Sequence, residues 1–288
     1  MIDSFPVAVT SWYDDHARDL PWRRDGVNAW GVLVSEVMLQ QTPVSRVVPV
    51  WEQWLTRWPV PAALAADSAG EAVRLWGRLG YPRRALRLHA AATVIDERHD
   101  GDVPASYDDL LALPGIGSYT ASAVASFGFG QRHAVLDTNV RRVYARVFDA
   151  AADATTSAPT ASERVAALAR VPVERPARYS VAVMELGALL CVARSPRCPD
   201  CPVQTLCAWQ AAGRPAAADT RRPQPFAGTD RQVRGRLMAV LRDATEPVGR
   251  PELDAVWDLP VQRERALDRL LTDGLVVSYS DGRYGLPT

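Results

Sequence analysis

The chain has 288 residues, and its 33 Asp+Glu balance 33 Lys+Arg for a formal net charge of zero. Every one of those cations is an arginine, for the sequence contains no lysine. This excludes Schiff-base, pyridoxal-phosphate and Walker-A enzymes, which depend on a lysine amine. It leaves side chains that stack on bases and fork onto phosphate oxygens. With 48% apolar residues the chain can bury the core of two domains or one large one. The N-terminus carries Asp3, Asp14, Asp15 and Asp19 in place of a basic segment, and no apolar run approaches about 18 residues. Neither a signal peptide nor a membrane span is expected, and the expected location is the cytoplasm, at the nucleoid.

In chain order, Trp30 to Gln41 places Leu33, Val34, Val37 and Met38 on one helical stripe, and Pro43 stops it. Helical periodicity returns near 45–58, 71–79, 84–99, 106–113, 118–129, 138–149, 160–170 and 178–190, separated by Gly, Pro or candidate N-caps. The first two thirds therefore read as all-α. Residues 211–230 turn to Gly, Pro, Ala and Arg, a linker composition. Beyond it, helical patterns near 231–243, 250–256 and 261–273 precede two short strand-like runs closed by Asp281-Gly282, the outline of a small winged helix. Residues 237–288 hold 6 Arg against 9 Asp+Glu, net −3, so 1–236 carry net +3. The denser basic runs, Arg74–Arg87, Arg132–Arg146 and Arg194–Arg236, are the surfaces on which nucleic acid is expected. The acidic tail argues against a second DNA-binding head and for a protein contact or a stabilising lid.

Two local patterns carry chemistry. In Leu113-Pro114-Gly115-Ile116-Gly117-Ser118-Tyr119, glycines two apart permit a tight turn with free N–H groups at a helix start, an arrangement that holds a phosphate without reading sequence. Four cysteines, Cys191, Cys198, Cys201 and Cys207, lie within 17 positions, and the rest of the chain has none. Structural zinc usually takes two close ligand pairs, whereas only one Cys-x-x-Cys is present. Four thiols on one compact loop suit a [4Fe-4S] cube, zinc or plain structural thiols being the alternatives. Arg194 and Arg197 in that loop would face a phosphate backbone.

Hairpin, downstream Asp137 and cysteine spacing together resemble the helix-hairpin-helix DNA glycosylases with an iron-sulfur cluster, the endonuclease III superfamily. Within it, Leu20-Pro21-Trp22-Arg23, Ser35-Glu36-Val37-Met38-Leu39-Gln40-Gln41-Thr42, Gly80-Tyr81 and Leu136-Asp137-Thr138-Asn139-Val140 resemble the MutY-type adenine DNA glycosylases over about residues 5–210. The resemblance implies a six-helix barrel domain (26–132) and an iron-sulfur domain (1–25 and 133–210), followed by the linker (211–230) and the winged-helix-like domain (231–288). It implies a monomer acting on double-stranded DNA that holds adenine opposite 8-oxoguanine or guanine. Gln41 and Tyr81 would be wedges, Gly115, Gly117 and Ser118 phosphate binders, Trp22 and Arg23 part of the adenine pocket, and Tyr119 and Asn139 neighbours of Glu36. Tyr119 stands at the lyase-lysine position, so base release without strand cleavage is expected.

The chemistry agrees. Breaking an N-glycosidic bond leaves positive charge on the sugar and negative charge on the purine, so a proton donor and a nearby anion lower the barrier together. Glu36, on a mainly apolar helix face, suits the acid, protonating adenine N7; Asp137, at a helix start, suits an ionised stabiliser of the oxocarbenium ion. Two departures from the family stand out. Pro82 and Val181 replace a second tyrosine and a Gln/Glu, and the 58 residues from Arg231 are too short for the usual NUDIX-like reader of 8-oxoguanine. A thymine or uracil mismatch glycosylase is the nearest alternative, against which Glu36 argues; a non-catalytic iron-sulfur DNA-binding regulator is the other.

Overall fold

The sequence forms a succession of helices because apolar stripes recur at helical spacing between polar N-caps. The computed structural model describes residues 4–216 and 226–288, so the expected linker lies partly outside the described residues. The helices are α1 (Ser4–His16), α2 (Ala29–Leu39), α3 (Val44–Arg57), α4 (Pro61–Ala65), α5 (Ala69–Trp76), α6 (Arg83–Arg98), α7 (Tyr107–Ala112), α8 (Ser118–Phe129), α9 (Thr138–Phe148), α10 (Ala161–Arg170), α11 (Pro176–Leu189) and α12 (Ala208–Ala211). Then follow α13 (Asp230–Asp243), α14 (Arg250–Asp254), α15 (Pro260–Thr272) and the strands β1 (Val277–Ser278) and β2 (Tyr284–Gly285). The strands pair antiparallel, Val277 opposite Gly285 and Ser278 opposite Tyr284, and Val248 bridges Tyr284. The expected all-α body and terminal hairpin are thus present. Side chains cap several helices: Asn28 accepts from Gly31 N, Ser68 from Glu71 N, Ser106 from Asp109 N and Asp137 from Val140 N, and Thr160 forms a capping box with Glu163. Among the described residues no helix is long and apolar enough to cross a membrane.

The described residues fall into two compact units, one drawn from 4–33, 105–112 and 116–216, the other from 34–104, 113–115 and 226–288. In the first, α1, α9, α10 and α11 share one core: Phe5 and Val9 meet Val140, Val143 and Val147, with Ala167, Tyr179, Val183 and Leu186. The Phe5 ring lies edge-on to Phe148 at 5.1 Å and to Tyr179 at 6.3 Å. In the second, Trp54 stands edge-on to Trp58 and Trp76 at 4.8 and 5.5 Å, binding α3 to α5. Val233, Leu237 and Leu241 of α13 are buried with Ala266 and Leu270 of α15 and with Leu275. This C-terminal module sits on α5: a Cβ at Gly70 would collide with the Pro287 carbonyl, and Arg74 Nη1 donates to the carbonyls of Arg242 and Ala244.

One buried charge interrupts the first core. Glu185 of α11 is fully buried, and its two oxygens accept from Arg18 Nε at 2.6 Å, Arg18 Nη2 at 2.8 Å and Arg23 Nη1 at 3.0 Å. Burial pushes this carboxyl up, but the two guanidiniums outweigh it and hold it below its ordinary value. Its ionised form therefore stabilises the folded state above the unfolded-chain value, and that stabilisation is lost as pH falls through the folded one. Thermal melts on the acid side of the ordinary carboxylate range should show a steep decline for the wild type. A Glu185→Gln variant should be less stable at neutral pH and markedly flatter on acidification.

Candidate active site

In the second unit, α2 is apolar on nearly every face, which makes Glu36, 5% exposed, an exception among Leu33, Val34, Val37 and Met38. A carboxyl withdrawn from water in this way is costly unless it has a task or a partner. The end of α2 is closed by Arg84, 7% exposed, whose Nη1 donates to the carbonyls of Val37, Met38 and Gln40 at 2.7–2.9 Å. Its Nη2 donates to Thr42 Oγ1 at 2.9 Å and to the Gly80 carbonyl at 3.0 Å. One guanidinium thereby holds the turn after α2 beside the turn before α6. Those turns carry Gln41 (φ 56°) and Tyr81 (φ 47°), both in the left-handed region and both exposed, Tyr81 by 51%. Tyr81 thus stands outside the core, its ring 5.6 Å from the Arg84 guanidinium. Burial holds Arg84 down to about 10.

The hairpin is anchored by buried Leu113 and Ile116, while Gly115, Gly117 and Ser118 are exposed. Gly115 (φ 76°) is required twice, because a Cβ there would also lie 2.6 Å from Arg87 Cβ. Gly117 is different: a Cβ there would meet nothing within 4 Å, so no contact among the described residues requires its smallness. No side chain caps the first turn of α8, which leaves that helix start suited to an anion.

In the first unit, Asp137 caps α9. Its Oδ1 accepts from Val140 N at 2.6 Å and its Oδ2 from Asn139 Nδ2 at 2.9 Å. Asn139 is held in turn by Arg142, whose Nη2 donates to Asn139 Oδ1 at 2.7 Å and to the Gly187 carbonyl at 2.8 Å. Arg142 Nε donates to the Cys191 carbonyl at 2.7 Å, so one chain of hydrogen bonds runs from the cysteine loop to the Asp137 carboxyl. Gly187 permits the approach, since a Cβ there would lie 2.8 Å from Asn139 Cβ. Part of Asp137 remains open to solvent, yet the surrounding protein pushes its carboxyl above its ordinary value, against the pull of the Val140 N–H, Asn139 and, more weakly, Arg142. The helix start therefore favours the ionised form expected from sequence, and burial opposes it.

The four cysteines are unpaired and line one small cavity with Arg146, Val203 and Trp209. Arg146 reaches the Val192 carbonyl at 2.9 Å and Cys191 Sγ at 3.4 Å, with Trp209 4.6 Å from its guanidinium. Burial raises the Cys191 thiol, and it raises Cys201 to about 11, the neighbouring sulfurs adding to the effect. Among the described residues, no three His, Cys, Asp or Glu side chains close around a single metal-ion position.

Three sequence expectations are corrected or completed here. The run Arg132–Arg146 is not a nucleic-acid face: Arg141, Arg142 and Arg146 are 3–6% exposed and committed to Glu163 and to backbone carbonyls. Arg194 is exposed, but Arg197 pairs with Asp200 at 2.8 Å on the surface. Arg23, expected in a base pocket beside the buried Trp22, donates to Glu185. Sequence reasoning missed Arg84, Arg142 and Glu185. Arg84 and Glu185 fall on the buried stripe of an otherwise apolar helix face, a signal that a helical-wheel reading could have found.

Residues 34–174 match the model of the HhH-GPD superfamily base excision DNA repair proteins. Among solved structures, a thermostable thymine-DNA glycosylase superposes with a TM-score of 0.67 at 24% identity, over 73% of this chain and 97% of that one, a likeness of fold. The adenine DNA glycosylase of Mycolicibacterium smegmatis (strain ATCC 700084 / mc(2)155) is 56% identical over 282 residues, 98% of this chain and 95% of that protein. That of Mycobacterium tuberculosis (strain ATCC 25618 / H37Rv) is 52% identical over 97% of this chain and 92% of its own, and the human one 41% identical over 72% and 39%. The chain belongs to the adenine DNA glycosylase family.

Two substitutions test the geometry. Gly117→Ala should leave the thermal melt unchanged while weakening duplex binding in an anisotropy titration. Arg84→Lys, which cannot span five acceptors with a planar fork, should cost about 2–4 kcal/mol of unfolding free energy by denaturant titration.

Proposed function

We propose that this enzyme flips adenine out of duplexes in which it lies opposite 8-oxoguanine or guanine and hydrolyses its glycosidic bond, leaving an abasic site. The observation that carries the reading is the near-full-length likeness to the mycobacterial adenine DNA glycosylases, which extends through the C-terminal module. In this reading Glu36, buried on α2, donates a proton to adenine N7. Asp137 supplies the anion that stabilises the oxocarbenium ion, with Asn139 orienting it and Arg142 orienting Asn139. Tyr119 and Asn139 line the reaction site, and Trp22 and Arg23 border the base pocket, Arg23 being held there through its bond to Glu185. Gln41 and Tyr81 enter the stack where the base leaves it, their exposed, strained turns supporting that role. Gly115, Gly117 and Ser118 hold a phosphate. With no lysine in the chain, the nucleophile of the lyase reaction is missing and the strand stays intact.

The reading also assigns a [4Fe-4S] cluster to Cys191, Cys198, Cys201 and Cys207. Support comes from the spacing and from the four cysteines lining one small cavity. When bound, the cluster fixes the loop that Arg142 and Arg146 grip. The domain assignment follows the same reading: iron-sulfur domain, six-helix barrel and winged-helix-like module.

Single-turnover assays on duplexes with A opposite 8-oxoguanine, G or C, alongside T and U mismatches, test the substrate class; release of thymine or uracil in preference to adenine would overturn it. Glu36→Gln and Asp137→Asn should each reduce adenine release by at least about 10²-fold while DNA binding persists. Because Asp137 acts ionised and lies above its ordinary value, the rate should fall on acidification at a higher pH than a free aspartate would give. Asn139→Ala, which removes a hydrogen bond that lowers that value, should move the acid limb further up. Iron and acid-labile sulfide in equal amounts, one iron per cysteine, are expected on analysis of the purified protein; zinc would contradict the cluster.

A further inference from the structure

The second unit contains a cleft of about 2130 Å³, of whose lining the roles above use only Gln41 and Tyr81. One wall comes from the turns carrying Gln41 and Tyr81 and from α5 and α6, the other from α13 and α15 of the C-terminal module. Twelve arginines and four aspartates line it. The volume exceeds the roughly 300–1,000 Å³ of small-ligand pockets, and the lining is cationic where such pockets are mostly apolar.

Part of this charge is neutralised within the chain. Asp273 takes Arg83, Arg234 and Arg269, Asp230 takes Arg265, and Arg84 is consumed by backbone carbonyls. Six arginines in the cleft have no carboxylate partner among the described residues: Arg46, Arg78 and Arg87 on one wall, Arg231, Arg236 and Arg242 on the other. All except Arg242 are exposed. Arg242 is half-buried, and its Nε has no hydrogen-bond partner. Burial lowers its pKa, the neighbouring Asp243 carboxylate opposes that and the like charge of Arg78 adds to it more weakly, so an anion held beside Arg78 and Arg242 would favour both charges. The net −3 of residues 237–288 conceals this arrangement, because α13 begins at Asp230 and its Arg231, Arg234 and Arg236 lie before that cut. On the side facing the cleft the C-terminal module presents more arginines than aspartates.

We propose that this cleft is a channel for the phosphate backbone of duplex DNA, and that it receives the strand carrying the base estranged from adenine. The strand assignment rests on the reading of Gln41 and Tyr81 as wedges. A side chain that fills the space of a flipped base abuts the base left behind, and both wedges lie on the rim of the cleft. The C-terminal module then clamps the opposite strand through phosphates, without reading its sequence.

The test uses the full-length protein and anisotropy titrations over a salt series, with duplexes carrying a non-hydrolysable adenine analogue opposite 8-oxoguanine and duplexes with no mispair. Arg78→Ala, Arg242→Ala and the double variant are compared with Arg283→Ala, which removes an arginine outside the cleft. Each cleft variant should weaken binding to both duplexes about tenfold and lower the slope of log K against log salt by about 0.9. Arg283→Ala should change neither. An unchanged slope in the double variant would overturn the channel, even if adenine excision is confirmed. The lowered slope in a protein that releases no adenine would uphold the channel and count against the proposed function instead. Phosphate-ethylation interference locates the strand: signals opposite the adenine that the double variant loses support the assignment, and losses confined to the adenine strand overturn it.

Discussion

Guanidinium groups withdrawn from water and closed onto backbone carbonyls hold the parts of this protein that carry chemistry. Arg84 gathers the last carbonyls of α2 and the carbonyl of Gly80, Arg142 joins Gly187 to Cys191, and Arg146 grips the chain after Cys191. Each replaces water at peptide groups that would otherwise be buried unpaired, at a cost of about 1–3 kcal/mol per group. A lysine, with a compact ammonium and no planar fork, could not meet four or five acceptors at once. The carbonyls at a helix C-terminus carry partial negative charge, and for Arg84 this takes the place of a carboxylate counter-ion. The absence of lysine, which at the level of composition only excludes certain enzymes, reappears as the type of bond that organises the fold.

The same bonds explain why the site residues stand where they do. Gln41 and Tyr81 occupy backbone conformations that L-residues rarely adopt, a strain of order 1–3 kcal/mol each, and they persist there because Arg84 determines the turns around them. Asp137 is shaped by opposing effects: the start of α9 stabilises its charge and the packing around it resists that charge. The Asn139–Arg142 chain makes its orientation depend on the loop that begins at Cys191.

The helices were legible because apolar stripes and N-caps act locally, and the glycine hairpin because a left-handed turn demands Gly at position 115. Glu36, Asp137 and the cysteines could be singled out, since residue type and spacing carry their chemistry. The arginine runs could not be read. In Arg141, Arg142 and Arg146, and in Arg83, Arg84 and Arg87, neighbours in sequence point to different environments, and charge density along the chain says nothing of which guanidinium is buried. Cutting the tail at residue 237 made it look acidic, because the boundary fell inside α13.

The sequence by itself determined the helical class, the lack of the amine that a lyase reaction needs, and the residues expected to protonate, stabilise or ligate. Those properties follow from side-chain type and short-range periodicity. Only the tertiary structure decided which arginines are bonds and which are free charges. It buried the run on α9, tied Arg23 to Glu185, and left Arg78 and Arg242 lining one cleft. A guanidinium has the same charge in either setting, and its role is set by the carbonyls and carboxylates that long-range packing brings to it.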